Sequence, residues 1–437
     1  MLRLLLALLI VLPLGAQTVT LLHFSDYHSH AVPFFTDEGE RGGMARAVGY
    51  LREQKEAGAL VFNGGDMMNK GAPAWSDKYG CVEWSWLNGV VDAMAFGNHD
   101  ADYGPESFAR CRESIRYPIL SANVDGFEAY RVFGRNGIRI GVFGVAGSDF
   151  PQLVRAVPLQ FGDAVEAARA AVKMLREKER ADVVVMIGHQ HAEADYALAA
   201  AVPGIDLIFG PHSHLRRELT KIPGTGTWFI SSSSYLTLLS RVELTFDKGA
   251  LARIRGELVP VDGRLPIDIA THERVARLQN DLERDPDYRD LFVPIGRLDA
   301  PMSIEALATK TLDVMRAATK ADVALSTVSS FRRALPAGPL TMESLRGALP
   351  YDNEIVVCSM SGSALQRLFE ETKSRGGSDS EPYVSGRPSS IDPSSTWRVA
   401  TTDYLANLAY RDVFTCETQK TGLRVREELR KALLREE

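Results

Sequence analysis

The feature that most constrains the fold is a set of short apolar segments, each ending in side chains that can bind metals. The segments and their terminal residues are "VTLLHFS" with Asp26 and His28, "GALVFNGGD" with Asp66, "VDAMAFGNH" with Asn98 and His99, "ADVVVMIGH" with His189, and "GIDLIFGPH" with His212 and His214. In open α/β sheets, ligands bind at the carboxyl ends of the strands. One such ending is unremarkable by itself, whereas five at one edge predict a functional site.

Helix-like segments lie between several of these apolar runs, among them "GGMARAVGYLREQKEAG" and "GDAVEAARAAVKMLREKERA". Near-continuous apolar strands alternating with helices are typical of an α/β fold whose sheets are covered by helices. The segment "RVELTFDKGALARIRGELVPV" predicts an antiparallel hairpin that closes this part of the chain. We therefore expect an α/β domain over residues 17–265.

The donors at the strand ends are imidazole nitrogens and oxygens, which suit zinc, manganese, iron, cobalt or nickel. They outnumber the ligands of one four-coordinate zinc, and they fit two divalent metal ions that share one carboxylate. Two metals about 3.5–4 Å apart suit the hydrolysis of phosphate esters. The net charge of −6 offers no basic excess for a nucleic-acid polymer, so a small phosphate ester is the expected partner.

The motifs D-x-H, G-G-D, G-N-H-D, G-H and G-P-H-S-H resemble those of the calcineurin-like metallophosphoesterases. They are most similar to the exported 5′-nucleotidases and 2′,3′-cyclic-nucleotide 2′-phosphodiesterases. The resemblance covers nearly the whole chain after the N-terminal segment and is looser in the C-terminal half. It implies an α/β protein with a four-layer metallophosphoesterase β-sandwich flanked by helices, and a smaller C-terminal α/β domain of the 5′-nucleotidase type.

The resemblance also implies a role for each residue of the site. Asp26, His28 and His214 would bind the first metal, Asn98, His189 and His212 the second, and Asp66 both. His99 would lie over the phosphate without binding a metal, and Asp102 would orient it, as a carboxylate does for a catalytic imidazole. The alternative for Asp102 is a cap on the helix that begins near "GPESFARC".

No metal-binding role is expected for the remaining histidines. His23 should face the sheet layers or lie behind the metal ligands, and His30 should border the mouth of the site. His191, two residues after His189, is as open to a place behind the ligands as to any other, and His272 should be a solvated surface residue.

The C-terminal half departs from the family pattern at the positions that hold the substrate. "TVSSFRRALPAG" stands where the family has N-x-G-G-x-R, so that Arg332 matches the phosphate-contacting arginine while serines replace the glycines. Tyr351 and Tyr404 match two aromatic positions that would sandwich a planar base. The alternative is that both tyrosines pack in a core. The G-G-D-G segment of the family is absent, which leaves the identity of the substrate open.

The N-terminal "MLRLLLALLIVLPLGAQ" has a basic start, an apolar run and small residues, which is the pattern of a secretory signal peptide over residues 1–16. A membrane anchor is the alternative, although a span needs about 20 apolar residues. We expect an exported protein, periplasmic or extracellular. A charged linker helix over residues 266–292 should separate the catalytic domain from a substrate-recognition domain over residues 293–437.

The even number of cysteines permits disulfides in an exported chain. Pairing within each half, Cys81 with Cys111 and Cys358 with Cys416, closes the shorter loops. Four buried free thiols are the alternative.

The sequence predicts a dinuclear-metal phosphoric ester hydrolase, specifically a 5′-nucleotidase and/or a 2′,3′-cyclic nucleotide phosphodiesterase. The alternatives are a phosphatase or phosphodiesterase for a different small phosphate ester, a sulfur-ester hydrolase on the same fold, and a non-catalytic ligand-binding homologue.

Overall fold

The computed structural model describes residues 17–374 and 382–434, so the predicted signal peptide lies outside the described part. The first sheet is six-stranded, and the predicted "VTLLHF" strand is its first strand in chain order. In spatial order its strands are Ala250–Pro260, Leu238–Asp247, Gln17–Phe24, Leu60–Asn63, Ala93–Ala95 and Ile119–Leu120. The first two strands form the predicted antiparallel hairpin, and the last four run parallel to one another.

The second sheet is also six-stranded, with parallel strands in its centre and an antiparallel strand at each edge. In spatial order its strands are Arg216–Lys221, Trp228–Ser232, Leu207–Phe209, Val183–Met186, Ile138–Phe143 and Tyr130–Arg135. The two sheets pack face to face through fully buried side chains, such as Leu21 and Phe62 from the first sheet and Ile140, Val185 and Phe209 from the second. This core confirms the predicted β-sandwich.

Helices cover the outer face of each sheet and complete the four layers. Successive side chains of a strand point to opposite faces, so Leu21 packs between the sheets while Leu22 packs against Met44 and Leu51 of the first helix layer. The helices of this part are Met44–Glu56, Ala74–Tyr79, Pro105–Ser114, Phe150–Leu153, Ala164–Lys173 and Ala192–Ala201, with 3₁₀ turns at Val82–Leu87 and Asn98–Ala101 and a π turn at Met174–Lys178. A small hairpin joins Phe34–Thr36 to Gly39–Arg41.

A helix at Ile269–Arg284 follows the sandwich, within the predicted linker. The Asp268 side chain caps its start by accepting a hydrogen bond from the Thr271 N–H at 2.8 Å. The helix packs on the sandwich, where Tyr79 Oη donates to the Leu278 carbonyl at 2.6 Å. Its end at Arg284 is followed after one residue by Pro286, which cannot continue a helix.

The C-terminal part is a second α/β unit. Its five-stranded sheet has the spatial order Tyr383–Ser385, Val323–Ser326, Thr396–Thr402, Glu354–Ser361 and Gln419–Arg424, and Pro294–Leu298 pairs separately with Gly338–Thr341. Its helices are Ile304–Thr319, Met342–Ala348, Gly362–Ser374 and Val425–Leu434, with a 3₁₀ turn at Val328–Ser330 and a π turn at Leu405–Ala409. A 3₁₀ turn at Arg289–Leu291 precedes this unit. The composition of "SRGGSDSEPYVSGRPSSIDPSS", rich in Gly, Ser and Pro, predicts a surface loop. The structure differs, because "YVS" of this segment pairs with Val323–Ser326 and forms the edge strand Tyr383–Ser385.

The C-terminal unit contacts the sandwich through the helix Met342–Ala348. Glu343 Oε1 accepts a hydrogen bond from the Ala74 N–H at 2.9 Å, and Arg346 pairs with Asp77 at 3.2 Å. These contacts join the C-terminal unit to the helix Ala74–Tyr79 of the sandwich.

The structure contains both predicted disulfides, Cys81–Cys111 in the first half and Cys358–Cys416 in the second. They exclude the alternative of four free thiols. Among the described residues, we find no helix that combines the length and the hydrophobicity needed to cross a bilayer.

Candidate metal and catalytic site

The strand ends of both sheets meet at one edge of the sandwich. The first sheet contributes Asp26, His28, Asp66 and the turn Asn98–Ala101, and the second contributes the loops that carry His189, His212 and His214. Five of these residues have left-handed backbones, namely Asp26, His28, Asp66, His212 and His214, with φ between 47° and 64°. Non-glycine residues adopt this region at a cost, and they concentrate at functional sites.

Asp26, His28 and His214 form a first group of potential metal ligands. The Nε2 atoms of His28 and His214 lie 3.0 Å apart, and His214 Nε2 lies 3.3 Å from Asp26 Oδ1. Burial lowers the pKa of His214 to about 4 and also lowers that of His28. Both rings are therefore neutral at pH 7, with a lone pair available for a metal.

Asp66, His189 and His212 form a second group. His189 Nε2 lies 3.2 Å from Asp66 Oδ2, and the same carboxylate oxygen lies 3.8 Å from His28 Nε2 of the first group. Asp66 therefore stands between the two groups. Asn98 belongs to the adjacent turn, where the N–H of the next residue, His99, donates to Asp66 Oδ1 at 2.8 Å.

Two observations show that these residues fit divalent metal ions. Asn98 Oδ1 is buried and has no hydrogen-bond partner, although buried polar atoms are normally satisfied. Burial alone would raise the pKa of Asp66, but His189 and His99 hold it well below its usual range. An ionised carboxylate among buried imidazoles attracts positive charge, and a metal ion supplies that charge in place of protons.

His99 and Asp102 form a hydrogen-bonded pair at the rim of the site. His99 Nδ1 lies 2.7 Å from Asp102 Oδ2, and the same oxygen accepts the Lys70 N–H at 3.0 Å. Burial opposes charge on the ring, but Asp66 and Asp102 outweigh it and raise the pKa of His99 to about 9. This hydrogen bond uses His99 Nδ1, so Nε2 is the ring nitrogen that can donate a proton to a substrate.

Asp100 connects the loops that follow two neighbouring strands. The sequence analysis did not identify it. Its carboxylate accepts the N–H groups of Met67 and Gly97, each at 2.8 Å. Gly97 is required here because a Cβ atom would lie 2.1 Å from the Asp66 nitrogen. The signal available in the sequence was its position directly after "GNH", and the structure buries it fully.

The C-terminal unit places Arg332 against the first group. Its guanidinium contacts the His214 ring and is hydrogen-bonded to Tyr235, a buried residue that sequence reasoning missed. Tyr351 and Tyr404 are 43% and 48% exposed, so neither packs in a core. In place of the family glycines, hydroxyls interact with one another: Ser330 Oγ lies 3.0 Å from Thr327 Oγ1 and accepts from Ser326 Oγ at 2.9 Å.

The remaining histidines divide as follows. His23 is fully buried and stacks on Phe209 with ring centroids 4.7 Å apart, as expected for a residue between the sheets. His30 is 7% exposed and stacks on Tyr235 at 4.0 Å, and His272 is exposed on the linker helix.

His191 lies beside a further residue that the sequence analysis missed, Asp149. Asp149, His191 and His212 form a third group of close donors. Burial would raise the pKa of Asp149, but hydrogen bonds with His191 and His212 hold it well below its usual range. The signal available in the sequence was the strand "RIGVFGVAG", which is followed by Ser148 and Asp149.

Comparison with known families identifies both halves. Residues 19–216 match the calcineurin-like phosphoesterase family, and residues 302–394 match the 5′-nucleotidase C-terminal domain. The chain is therefore a metallophosphoesterase, a hydrolase of phosphoric esters, whose catalytic domain is followed by a C-terminal domain of the 5′-nucleotidase family.

Individual relatives support this assignment. The chain is 25% identical to protein UshA of Yersinia enterocolitica, over 89% of this chain and 85% of UshA. A 5′-nucleotidase precursor from Thermus thermophilus superposes with a TM-score of 0.72 at 23% identity, covering 95% of this chain and 96% of that one. The sulfate thiohydrolase SoxB from the same organism superposes with a TM-score of 0.71 at 21% identity, covering 95% and 94%. At these identities, the structural likeness shows the fold.

Proposed function

We propose that the protein is a dinuclear-metal 5′-nucleotidase and/or 2′,3′-cyclic nucleotide phosphodiesterase that acts on nucleotides outside the cytoplasm. The observation that carries the proposal is the contact of Arg332 with His214. It brings a cation of the C-terminal unit against a candidate metal ligand, where it could contact a phosphate bound at this site. The names of the relatives, which include 5′-nucleotidases, support the same substrate class.

This arrangement suggests a separate role for each of three parts of the chain. Residues 17–265 form the catalytic domain, residues 266–292 the linker, and residues 293–437 the domain that recognises the substrate. The phosphate is held at the boundary between the first and the last of these.

Asp26, His28 and His214 would hold one divalent ion and Asn98, His189 and His212 another, with Asp66 shared. Zinc or manganese would suit this mixed nitrogen and oxygen set. When bound, the ions supply Lewis-acid stabilisation of the phosphate oxygens and activate water as the nucleophile.

The protein's own residues orient the substrate and handle the leaving group. The Arg332 guanidinium, with its planar fork of donors, would bind a phosphate oxygen of the substrate. His99 carries a proton at Nε2 and donates it to the departing ribose oxygen, while Asp102 holds the ring in this tautomer through Nδ1. Tyr351 and Tyr404 present exposed rings on which a nucleobase can stack.

The paired His99 and Asp102 favour phosphate-ester hydrolysis over the sulfur-ester alternative, because an alkoxide leaving group needs a proton. The same pair argues against a non-catalytic binding protein, which has no need of a general acid.

The deciding experiment compares nucleotides with phosphate esters that lack a base. The metal-free protein is loaded with Mn²⁺ or Zn²⁺ and assayed with AMP, 2′,3′-cyclic AMP, ribose 5-phosphate, bis-p-nitrophenyl phosphate and a thiosulfonate ester. We expect kcat/KM for AMP or cyclic AMP to exceed that for the base-free esters by at least about tenfold, since stacking on an aromatic ring contributes roughly 1–3 kcal/mol. The variants Tyr351→Ala and Tyr404→Ala should remove most of that difference.

Three results would contradict the proposal. Equal rates on AMP and ribose 5-phosphate would indicate a different small phosphate ester, and preference for the thiosulfonate would indicate a sulfur-ester hydrolase. No turnover on any ester, with metal bound, would indicate a binding protein.

We also propose that the chain is exported, on the basis of its N-terminal segment. Sequencing of the mature protein should find an N-terminus near Gln17, and an N-terminus at Met1 would reject cleavage.

A further inference from the structure

Asp149 stands next to the second group of candidate ligands, and no part of the proposed mechanism uses it. It follows the strand Ile138–Phe143, which is the neighbour of the strand leading to His189. Asp149 Oδ2 lies 3.2 Å from His212 Nε2 and 3.5 Å from His191 Nε2. The carboxylate is about one-third exposed, so it lies at the rim of the site.

The loop that carries Asp149 is anchored to the ligand loop of the same sheet. Ala146 forms a parallel bridge with His189, and the Gly147 N–H donates to the His189 carbonyl at 2.9 Å. Gly147 has no side chain, and a Cβ atom there would lie 2.5 Å from Asp149 Oδ1. The carboxylate therefore lies close against the backbone of Gly147.

The residue after Asp149 fixes the loop from the other side. Phe150 is fully buried, and its ring lies 5.9 Å from the His189 ring and 6.2 Å from the His212 ring. The chain thus enters the core immediately after Asp149, which restricts the directions that its carboxylate can take.

Each of the two ring nitrogens of His212 can interact with one partner. Nε2 is within hydrogen-bond distance of Asp149. Nδ1 is therefore the nitrogen that could bind the same metal ion as Asp66 and His189. A ligating histidine commonly donates its other N–H to a carboxylate, which sets the tautomer and the ring orientation and raises the basicity of the ligating nitrogen.

We propose that Asp149 is a positioning residue for His212: it accepts a hydrogen bond from Nε2–H and thereby orients Nδ1 toward the second metal. The inference rests on the proposed function, since it assumes that His212 binds a metal. Asp149 itself contributes no metal ligand, and His191 is a second, more exposed hydrogen-bond partner of the same carboxylate.

The test measures metal binding to metal-free protein rather than turnover. Wild type, Asp149→Ala, Asp149→Asn and the control Asp125→Ala are stripped with chelator and titrated with Zn²⁺ or Mn²⁺ by calorimetry and chelator competition. Asp125 is an exposed carboxylate in the neighbouring loop, so its removal changes the charge equally and leaves His212 alone. Thermal unfolding of each metal-free variant reports on the fold.

We expect two binding steps in wild type and in Asp125→Ala. In Asp149→Ala, one step should weaken by about 10–100-fold while the other stays within about threefold, because only one metal depends on His212. Asp149→Asn keeps an oxygen that can accept the hydrogen bond, so it should recover part of the loss. The melting temperature of the metal-free variants should match that of wild type.

The outcomes separate this inference from the proposed function. Wild-type affinity at both steps in Asp149→Ala would overturn the positioning role alone. A third bound metal that disappears in Asp149→Ala would make Asp149 a ligand and also overturn it. Loss of both steps together with a lower melting temperature would show a merely structural role. A wild-type protein that binds no metal would overturn the proposed function, and this inference with it.

Discussion

Asp102 Oδ2 lies 2.7 Å from His99 Nδ1, in the turn that follows the strand Ala93–Ala95. The same oxygen accepts the Lys70 N–H, so the carboxylate is held from two sides. The alternative reading of Asp102 as a cap on the next helix does not describe this geometry, since the helix Pro105–Ser114 is preceded by Gly104 and has no side-chain cap. The contact orients the His99 ring and keeps its Nε2 directed away from the carboxylate.

Replacing His99 should impair the chemistry and spare the metals. We expect His99→Ala to lower kcat by roughly 10²–10⁴-fold, because general acid catalysis contributes about that much. Asp102→Asn should lower kcat less, since the ring remains but its tautomer and orientation are no longer enforced. Steady-state kinetics with AMP and metal analysis of the same samples check this. Full activity in His99→Ala would remove its assigned role.

Asp66 should be needed for both metals, because its Oδ2 lies 3.2 Å from His189 Nε2 and 3.8 Å from His28 Nε2. We expect Asp66→Asn to retain less than about one metal per chain after gel filtration, since carboxylates bind divalent ions far better than amides do. Asp26→Asn is the matched control and should lose one metal only. Plasma emission spectrometry gives the ratio, and two metals per chain in Asp66→Asn would contradict a shared carboxylate.

Arg332 should contribute to substrate binding more than to catalysis by the metals. A hydrogen bond to a charged group is worth about 2 kcal/mol, so Arg332→Ala should raise KM for AMP by roughly 30-fold. Arg332→Lys should be intermediate, because lysine keeps the charge but loses the planar fork of donors. Metal stoichiometry should not change in either variant. An unchanged KM in Arg332→Ala would mean that the arginine faces His214 without reaching the substrate.

Glu83 should make the stability of the fold depend on pH. It is fully buried, accepts hydrogen bonds from Tyr27 Oη at 2.9 Å and from the Trp75 indole N–H, and burial raises its pKa to about 7 from an ordinary 4.5. The folded state therefore binds this proton more tightly than the unfolded state. The stability contributed by the proton is complete below about pH 4.5 and is lost as pH rises through about 7.

The neutral variant Glu83→Gln should remove this dependence. Relative to wild type, its free energy of unfolding should rise between pH 5 and pH 8 by up to about 3 kcal/mol, by the conversion of about 1.4 kcal/mol per pKa unit. Urea denaturation of metal-free protein at several pH values measures the difference. Glu113→Gln, the same exchange at an exposed position of the helix Pro105–Ser114, is the control. A constant difference between Glu83→Gln and wild type across this range would contradict the prediction.

Much of the fold was predictable from local pattern. Fully buried strands read as continuous apolar runs, and the hairpin at Leu238–Pro260 has turn residues Lys248 and Gly249 with positive φ. The segment around Tyr383 was misjudged, because its composition is typical of loops while its edge strand depends on pairing with Val323–Ser326, about 60 residues earlier.

The candidate site divides in the same way. Asp26, Asp66, His99, His189 and His212 follow directly from strand ends, and the structure brings them together. Asp149 was missed because it stands six residues beyond its strand and its partner His212 is 63 residues further along the chain. Tyr235 and Arg332, which meet over the first ligand group, belong to different units of the fold.

The sequence by itself determined which strands end in metal-binding groups, because hydrophobic periodicity and residue chemistry are local properties. Only the tertiary structure decided that Asp26 and Asp66 come from one sheet and His189 and His212 from the other, so that the site lies across the edge of the sandwich. Only the structure showed that Asp149 contacts His212 and that Arg332 contacts His214. Those contacts depend on how two sheets and a second domain pack, which is set by the sum of many long-range apolar contacts.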